Sequence, residues 1–303
     1  MSLQGPAAQL ILDAVHAATA RGVAIRLAFN QEHRKAPAVP PPGYVDWDLV
    51  KQFGVPLAPI PGEPDLMHHK YAIRDAQAVW TGSTNWTTDS WTREENVIVE
   101  VLSTEVAAAY ANDFEELWTR RDVALTGHYP PAWIDVGGLQ VRPYFAPGRG
   151  EKLSHEIAQR LATAQRRVRV CSPVITSGPI LGTLAEVIHD GKVEVRGIYD
   201  RTQMVEVEHQ WAGNPLAAWK IAAFQSVVAA GGFASKVSTP YAAGTTHDYM
   251  HAKLTVADDT LFVGSYNLSH SGEQNAENVL EIQSPELAEA AAAFVDRLIM
   301  RYR

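Results

Sequence analysis

Residues 68–75 read His68-His69-Lys70-Tyr71-Ala72-Ile73-Arg74-Asp75, and residues 251–258 read His251-Ala252-Lys253-Leu254-Thr255-Val256-Ala257-Asp258. Histidine, lysine and aspartate recur at one spacing. The agreement extends outward: Gly82-Ser83-Thr84-Asn85, Glu95-Asn96-Val97 and an alanine-rich helical stretch follow the first copy. Gly264-Ser265-Tyr266-Asn267, Glu277-Asn278-Val279 and a helical stretch to the C-terminus follow the second. The copies differ in one turn, with six residues between Asp75 and Gly82 and five between Asp258 and Gly264. Each copy fixes about six residue types, which chance supplies at a given start on the order of once in 10^7, so the pair marks an internal duplication.

Around the copies, short β-branched and aromatic runs alternate with helical periodicity. Strands are expected at 23–29, 69–73, 78–81 and 96–101, and near 139–145, 166–172, 192–199, 252–256, 260–263 and 278–283. Helices are expected near 6–20, 104–119, 152–164, 178–189, 214–230 and 285–301, with a short one from Asp46. This pattern gives two α/β halves, 1–135 and 136–303, with sheets flanked by helices and a seam at 122–137, where Pro130-Pro131 and Gly137-Gly138 fall. The second half opens with a strand, a helix and a further strand before its helix at 178. The first opens directly at the equivalent helix, so by this alignment it lacks a leading strand-helix-strand, as a truncated chain, a misplaced start or a reduced variant does. The proline-rich stretch 36–43 reads as a loop.

The 303 residues are 46% hydrophobic and 20% charged, the composition of a packed globular chain. A formal net charge of -8 argues against non-specific nucleic-acid binding, which draws on counterion release at a basic surface. Scattered basic residues such as Arg34, Lys35, Arg93, Arg201 and Lys236 could still line a cleft, although a solvated surface is the default for each. The single cysteine, Cys171, excludes an intrachain disulfide and a multi-cysteine zinc site, and reads as a small buried hydrophobe. No apolar run approaches the ~20 residues of a membrane-spanning helix, and no secretory signal is visible at the start as given.

On a strand, residues i and i+2 share a face, so His68 projects with Lys70 and His251 with Lys253. Two such pairs facing across a seam would bracket one phosphate, the lysines holding its charge while an imidazole attacks. One histidine alone cannot both attack and protonate the leaving oxygen, whereas two can divide the roles. A carboxylate on one ring nitrogen frees the other to react, a role that Glu95 and Glu277 fit, each ten residues beyond its motif asparagine. Ser83, Asn85, Ser265 and Asn267 would donate to phosphate oxygens or orient these side chains. Asp75 and Asp258 lie farther along the strand and suit an ion pair or a turn. Taken singly, each feature has a bland reading as exposed stripe, turn or solvated charge, and only the repetition reverses it. His69 should face the opposite side of the sheet and pack. His247 and His251 have zinc-ligand spacing, but that geometry requires a helix where this stretch reads as loop into strand. Trp86, Trp91, Trp211 and Trp219 read first as packing or loop anchors.

His-x-Lys-x4-Asp followed by Gly-Ser-x-Asn, occurring twice, resembles the signature of the phospholipase D superfamily. The resemblance covers both halves and implies a pseudo-twofold pair of α/β/α halves, with mixed sheets flanked by helices and one active site between them. It implies catalysis through a phosphohistidine without cofactor or metal, with His68 favoured as nucleophile and His251 as acid/base. His68, Lys70, Asp75, Ser83, Asn85, Glu95, His251, Lys253, Asp258, Ser265, Asn267 and Glu277 are the site residues so identified. The expected partner is a phosphodiester, a phospholipid ahead of nucleic acid, with peripheral membrane contact conceivable. The acceptor is water or an alcohol, as in the phosphatidyltransferases of this superfamily. Alternatives are a metal-independent nuclease and a non-catalytic binding protein that retains the fold. A monomer is expected, cytoplasmic by default, and exported or membrane-associated if an upstream segment is missing.

Overall fold

The computed structural model describes residues 3–31, 45–240, 242 and 245–303. The proline-rich stretch 36–43, with Arg34 and Lys35, lies outside them. The first half runs α1 (Gly5–Ala20), β1 (Leu27–Asn30), α2 (Trp47–Gln52), β2 (Leu57–Ile60), β3 (Tyr71–Arg74), β4 (Ala78–Gly82), α3 (Thr88–Thr92), β5 (Ile98–Leu102) and α4 (Thr104–Arg120). The second runs β6 (Ile134–Val136), β7 (Leu139–Ala146), α5 (Gly150–Thr163), β8 (Arg167–Cys171), α6 (Gly178–Asp190) and β9 (Glu194–Asp200). It continues through α7 (Arg201–Ala212), α8 (Ala218–Ala229), β10 (Phe233–Lys236), β11 (Leu254–Ala257), β12 (Thr260–Gly264), α9 (His270–Gln274), β13 (Glu277–Gln283) and α10 (Pro285–Arg301).

Strands of the second half form one mixed sheet in the order β10-β9-β8-β11-β12-β13-β7-β6, while those of the first form β1-β2 and β3-β4-β5. From α1 and α6 onward the strands and flanking helices of the two halves follow one order, except that α7 and α8 lie between β9 and β10 where the described residues of the first half place only α2 between β1 and β2. β1-β2 repeats the parallel β9-β10 pair, and β3-β4-β5 repeats the antiparallel β11-β12-β13. In the second sheet β8 bonds to both β9 and β11 and joins these blocks, whereas no strand among the described residues joins β1 to β3. The boundary expected at 135/136 falls inside β6, which pairs with β7, so the second half's sheet begins earlier.

Local chemistry explains most element boundaries. Ser103 caps α4 through Val106 N–H and Ser284 caps α10 through Leu287 N–H, the same device at the same point of each repeat. The helix α7 escaped the periodicity because its sequence has no single apolar face. It starts without a loop, since Asp200 ends β9 and also accepts the Gln203 N–H as N-cap. The helix expected at 214–230 is shortened by a 3-10 turn at Pro215–Ala217.

The largest core spans both halves: Val79, Val101 and Tyr110 pack with Phe145, Met250, Leu254, Val263 and Leu280, all nearly inaccessible. Tyr110 meets Phe145 edge-on with ring centroids 5.0 Å apart. Cys171 is buried in this core, its sulfur 3.2 Å from that of Met250. Beside the apolar core lies a polar knot. Asn278 Oδ1 accepts the hydroxyls of Thr81 and Tyr110 at 2.6 and 3.1 Å, and its amide nitrogen meets His69 Nδ1 at 3.2 Å. His69 Nε2 lies 3.0 Å from Asp113, which also accepts the Tyr71 hydroxyl at 3.0 Å. His69 is therefore a structural link between the halves. No helix among the described residues is long and apolar enough to cross a membrane.

Each motif glycine allows a close backbone approach. A Cβ at Gly82 would lie 2.1 Å from Val97 O, and one at Gly264 2.1 Å from Asn278 O. Gly264→Ala should destabilise the protein in urea unfolding by at least ~2 kcal/mol, because the obstacle is backbone and cannot yield. Gly213→Ala, whose added methyl meets nothing closer than 3.8 Å, should stay within ~0.5 kcal/mol of wild type. Equal effects would contradict this packing.

Candidate active site

The two motifs meet through their backbones. His68 N–H donates to Ala276 O at 2.9 Å and Ala276 N–H to Leu66 O at 2.8 Å. In the other copy His251 N–H donates to Glu95 O at 3.0 Å and Glu95 N–H to Tyr249 O at 3.2 Å. These are parallel bridges, Met67 to Ala276 and Met250 to Glu95, so each histidine is held by the return segment of the opposite half. His68, Lys70, His251 and Lys253 thus precede β3 and β11 in an extended lead-in and do not lie within the strands. The i, i+2 relation survives there. Lys70 Nζ curls back to donate to His68 O at 2.6 Å, and Lys253 Nζ to His251 O at 2.8 Å.

Each imidazole presents Nδ1 to a side chain from the opposite half, leaving Nε2 as the other reactive nitrogen. His68 Nδ1 lies 2.7 Å from Glu277 Oε1, a carboxylate with no solvent exposure. His251 Nδ1 lies 3.1 Å from Asn96 Oδ1 and 3.4 Å from Glu94 Oε2. The serines hold these partners in place: Ser83 Oγ donates to Asn96 Oδ1 at 2.7 Å, and Ser265 Oγ to Glu277 Oε2 at 2.6 Å. Both hydroxyls are therefore committed to orienting side chains.

Glu95 does not reach an imidazole. Its side chain is 2.5 Å from Lys236 Nζ and accepts the Tyr302 hydroxyl, while its main chain grips His251. The reason lies in register. Gly82 pairs with Ile98 and Gly264 with Val279, so the first half carries one more residue between the motif glycine and the return strand. The structural counterpart of Glu277 is Asn96, and that of Glu95 is Ala276. The recurring Glu-Asn-Val letters disguised this slip, and allowing a one-residue gap was the signal that could have revealed Glu94 and Asn96. Lys236, offered as a cleft residue, is spent inside this cluster, and Arg93 pairs with Asp89 at 3.1 Å.

Asp75 and Asp258 sit in the hairpin turns at the far ends of β3 and β11, both with positive φ, away from the imidazoles. Asp258 there accepts the backbone N–H groups of Gln165, Arg166 and Arg167. Asn85 follows the motif glycine and is fixed by its backbone, with N–H to Ser90 Oγ at 2.9 Å and carbonyl to Trp91 Nε1 at 2.9 Å. Asn267 Oδ1 is buried without a hydrogen-bond partner. Trp86 packs edge-on between Trp80 and Trp91, as a loop anchor. His247 and His251 are not on a helix, and the described residues contain no group of three His, Cys, Asp or Glu side chains suited to a metal ion.

The electrostatics fit an anion site. Burial pushes His68 down to about 4 against the opposing pull of Glu277, and Lys70 and Lys253 add to the depression. Burial likewise puts His251 well below its ordinary value, helped by Lys253, Lys70 and His68. Lys70 is lowered to about 8 by burial, and Lys253 falls well below the usual ammonium range through burial and the charge of Lys70. Burial opposes the charge on Glu277, yet His68 and Lys70 hold its carboxyl below the usual range. These basic groups lower one another's affinity for protons, and a phosphate among them would oppose that effect, favouring protonated Lys70, Lys253 and His251.

The family described as "Cardiolipin synthase, PLD-like domain" matches residues 4–118 and 157–299. The mitochondrial cardiolipin hydrolase of Xenopus laevis is 38% identical over 64 residues, 21% of this chain and 30% of that protein. Its human namesake is 34% identical over 70 residues, 23% of this chain and 27% of that protein. The matched stretch thus spans less than a third of these relatives. The structure of phosphatidylserine synthase from Haemophilus influenzae Rd KW20 aligns with a TM-score of 0.67 at 15% identity, covering 99% of this chain and 79% of that one, a likeness of fold.

Both imidazoles bind protons less readily in the fold than the ordinary 6.5, so the unfolded chain takes up more protons as pH falls from 6.5 toward about 4. Their contribution to stability is present above pH 6.5 and lost on acidification. The urea midpoint of wild type should therefore fall further between pH 7 and pH 5 than that of the His68→Asn/His251→Asn variant. Parallel pH profiles would contradict buried neutral imidazoles.

Proposed function

Because this chain belongs to the phospholipase D superfamily, in its family of cardiolipin synthase PLD-like domains, we propose that it cleaves or exchanges a phospholipid-type phosphodiester through a phosphohistidine. The observation that carries this reading is the pair of unlike imidazoles, His68 on a buried carboxylate and His251 on an amide, beside two buried lysines.

Lys70 and Lys253 hold the non-bridging oxygens and neutralise the charge that shields phosphorus. Glu277 accepts the Nδ1–H of His68, leaving the Nε2 lone pair to attack in line. As the Nε2–P bond forms, the bond from phosphorus to the leaving oxygen breaks, and that oxygen takes the Nε2 proton of a protonated His251. The neutral His251 then takes a proton from water or an alcohol. The incoming oxygen bonds to phosphorus, the P–N bond breaks and His68 is regenerated. Water gives hydrolysis and an alcohol gives transfer. The lysines supply the cationic charge, so no metal ion is required by this scheme.

The net charge of -8 and the internal commitment of Lys236 and Arg93 favour a lipid headgroup over a nucleic-acid backbone. The test is substrate profiling in EDTA, with anionic phospholipid vesicles, single-stranded DNA and added ethanol. Wild type should release headgroup and form phosphatidylethanol, and His68→Asn should lose at least ~10^3-fold in turnover. Loss of activity in EDTA would restore a metal mechanism. Cleavage of DNA alone would make the protein a nuclease, and an unimpaired His68→Asn would end the phosphohistidine scheme.

A further inference from the structure

The slip in register exposes an exchange that the duplicated letters conceal. The residues lining up across the pseudo-twofold are Glu94-Glu95-Asn96 and Asn275-Ala276-Glu277, with carboxylate and amide in opposite order about the residue that grips the histidine backbone. Each imidazole therefore has one carboxylate and one amide nearby, in exchanged positions. At His68 the carboxylate is in direct contact and the amide stands behind it: Asn275 Nδ2 donates to Glu277 Oε1 at 3.3 Å, while its Oδ1 accepts Leu66 N–H at 2.9 Å. At His251 the amide is in contact and the carboxylate stands behind, with Asn96 Nδ2 donating to Glu94 Oε2 at 3.3 Å.

The orientation of Asn96 is fixed. Its amide nitrogen also faces Ser90 O and Ser90 Oγ at 3.0 Å each, and its oxygen takes the Ser83 hydroxyl. Only the oxygen is left for His251, which must donate its Nδ1–H. Glu94 is almost enclosed, its side chain 4% exposed, and it lies 3.4 Å from that same Nδ1. Burial raises the affinity of Glu94 for its proton, while hydrogen bonds from Ser90 and Asn96 and the charges of Lys253 and His247 oppose this.

Resting on the phosphohistidine reading, we infer that Glu94 is the counter-ion of the imidazolium that forms on His251, a positioning residue acting through Asn96 and at short range. A carboxylate in direct contact keeps the ring of His68 electron-rich, which suits a nucleophile. An amide in contact leaves His251 readier to release its proton, and a carboxylate one step away still lets the imidazolium form among Lys253, Lys70 and His68. The exchange turns two copies of one residue into a nucleophile and an acid.

The test compares diphenyl phosphate, whose leaving group needs protonation, with bis(p-nitrophenyl) phosphate, whose leaving group needs little. Glu94→Gln should lower kcat ~30-fold on the first and less than ~3-fold on the second, with Glu94→Asp recovering most of the loss. Glu95→Gln, which strips Lys236 of its partner, should affect both substrates alike. Equal losses on both substrates in Glu94→Gln would overturn the assignment, as would no loss on either. The resting protein supplies an independent readout through the NMR titration of its histidines. Glu94→Gln should weaken proton binding at His251 at least ~3-fold and leave His68 unchanged. If wild type cleaves neither diester, the functional reading falls while this titration still decides the counter-ion. An unaltered His251 titration would overturn the inference even in an active enzyme.

Discussion

Four backbone hydrogen bonds across the pseudo-twofold carry the site. His68 and His251 each donate their N–H to the chain segment that opens the return strand of the opposite half, and the same segment donates back two residues upstream. Neither imidazole can be placed by its own half. The Gly82 and Gly264 contacts, the Ser83 and Ser265 anchors and the common core of Tyr110, Phe145, Met250 and Leu280 all hold these return segments at the distance the crossing requires. A buried amide left unpaired there would cost on the order of 1–3 kcal/mol, so the crossing and the fold stand together.

Around this shared frame the two halves are stabilised by different physics. On the His251 side, the gripping residue is Glu95, enclosed with Lys236 and Tyr302, and Met250 N–H is taken by Asp200. At the matching positions on the His68 side stand Ala276, Ile60, Arg121 and Asn30. There Ala276 and Ile60 pack in an apolar cluster, and Asn30 accepts Met67 N–H. The polar knot of His69, Asp113 and Asn278 reverses the pattern, since its counterparts are Ala252, Phe294 and Val97. An ionic cluster and an apolar one give the same backbone geometry because the crossing needs only a fixed spacing. A buried ion pair can gain in specificity what it loses in desolvation.

The fold was largely legible because its signals are local. The caps at Ser103 and Ser284, the β-branched and apolar runs of β11–β13 and the spaced histidine-lysine pairs are properties of a few consecutive residues. What was hidden depended on long-range register. One extra residue before β5 moved Glu95 out of the site and put Asn96 in, although the sequence offered the more persuasive match of Glu-Asn-Val with Glu-Asn-Val. The helix α7 was hidden for a related reason: its start is fixed by Asp200, a residue whose second oxygen is bound to Met250 far along the chain. A tertiary commitment, and no periodicity, ends that strand and begins that helix.

A duplicated site faces a chemical problem that its geometry alone cannot solve. Displacement at phosphorus through a covalent intermediate needs one nitrogen that attacks and another that gives up a proton, and a faithful duplication supplies two of a kind. Under the proposed mechanism, the reacting atoms themselves could not diverge without losing the lysine-histidine pairing that would bind the anion. The remaining freedom is the residue at Nδ1, which touches no substrate yet decides whether a ring is electron-rich or acidic. Here that position holds Glu277 for one ring and Asn96 for the other, with Asn275 and Glu94 completing each pair. In the proposed mechanism, symmetry in the backbone would set the place of the phosphate, and asymmetry one bond away from the imidazoles would set the order in which they act.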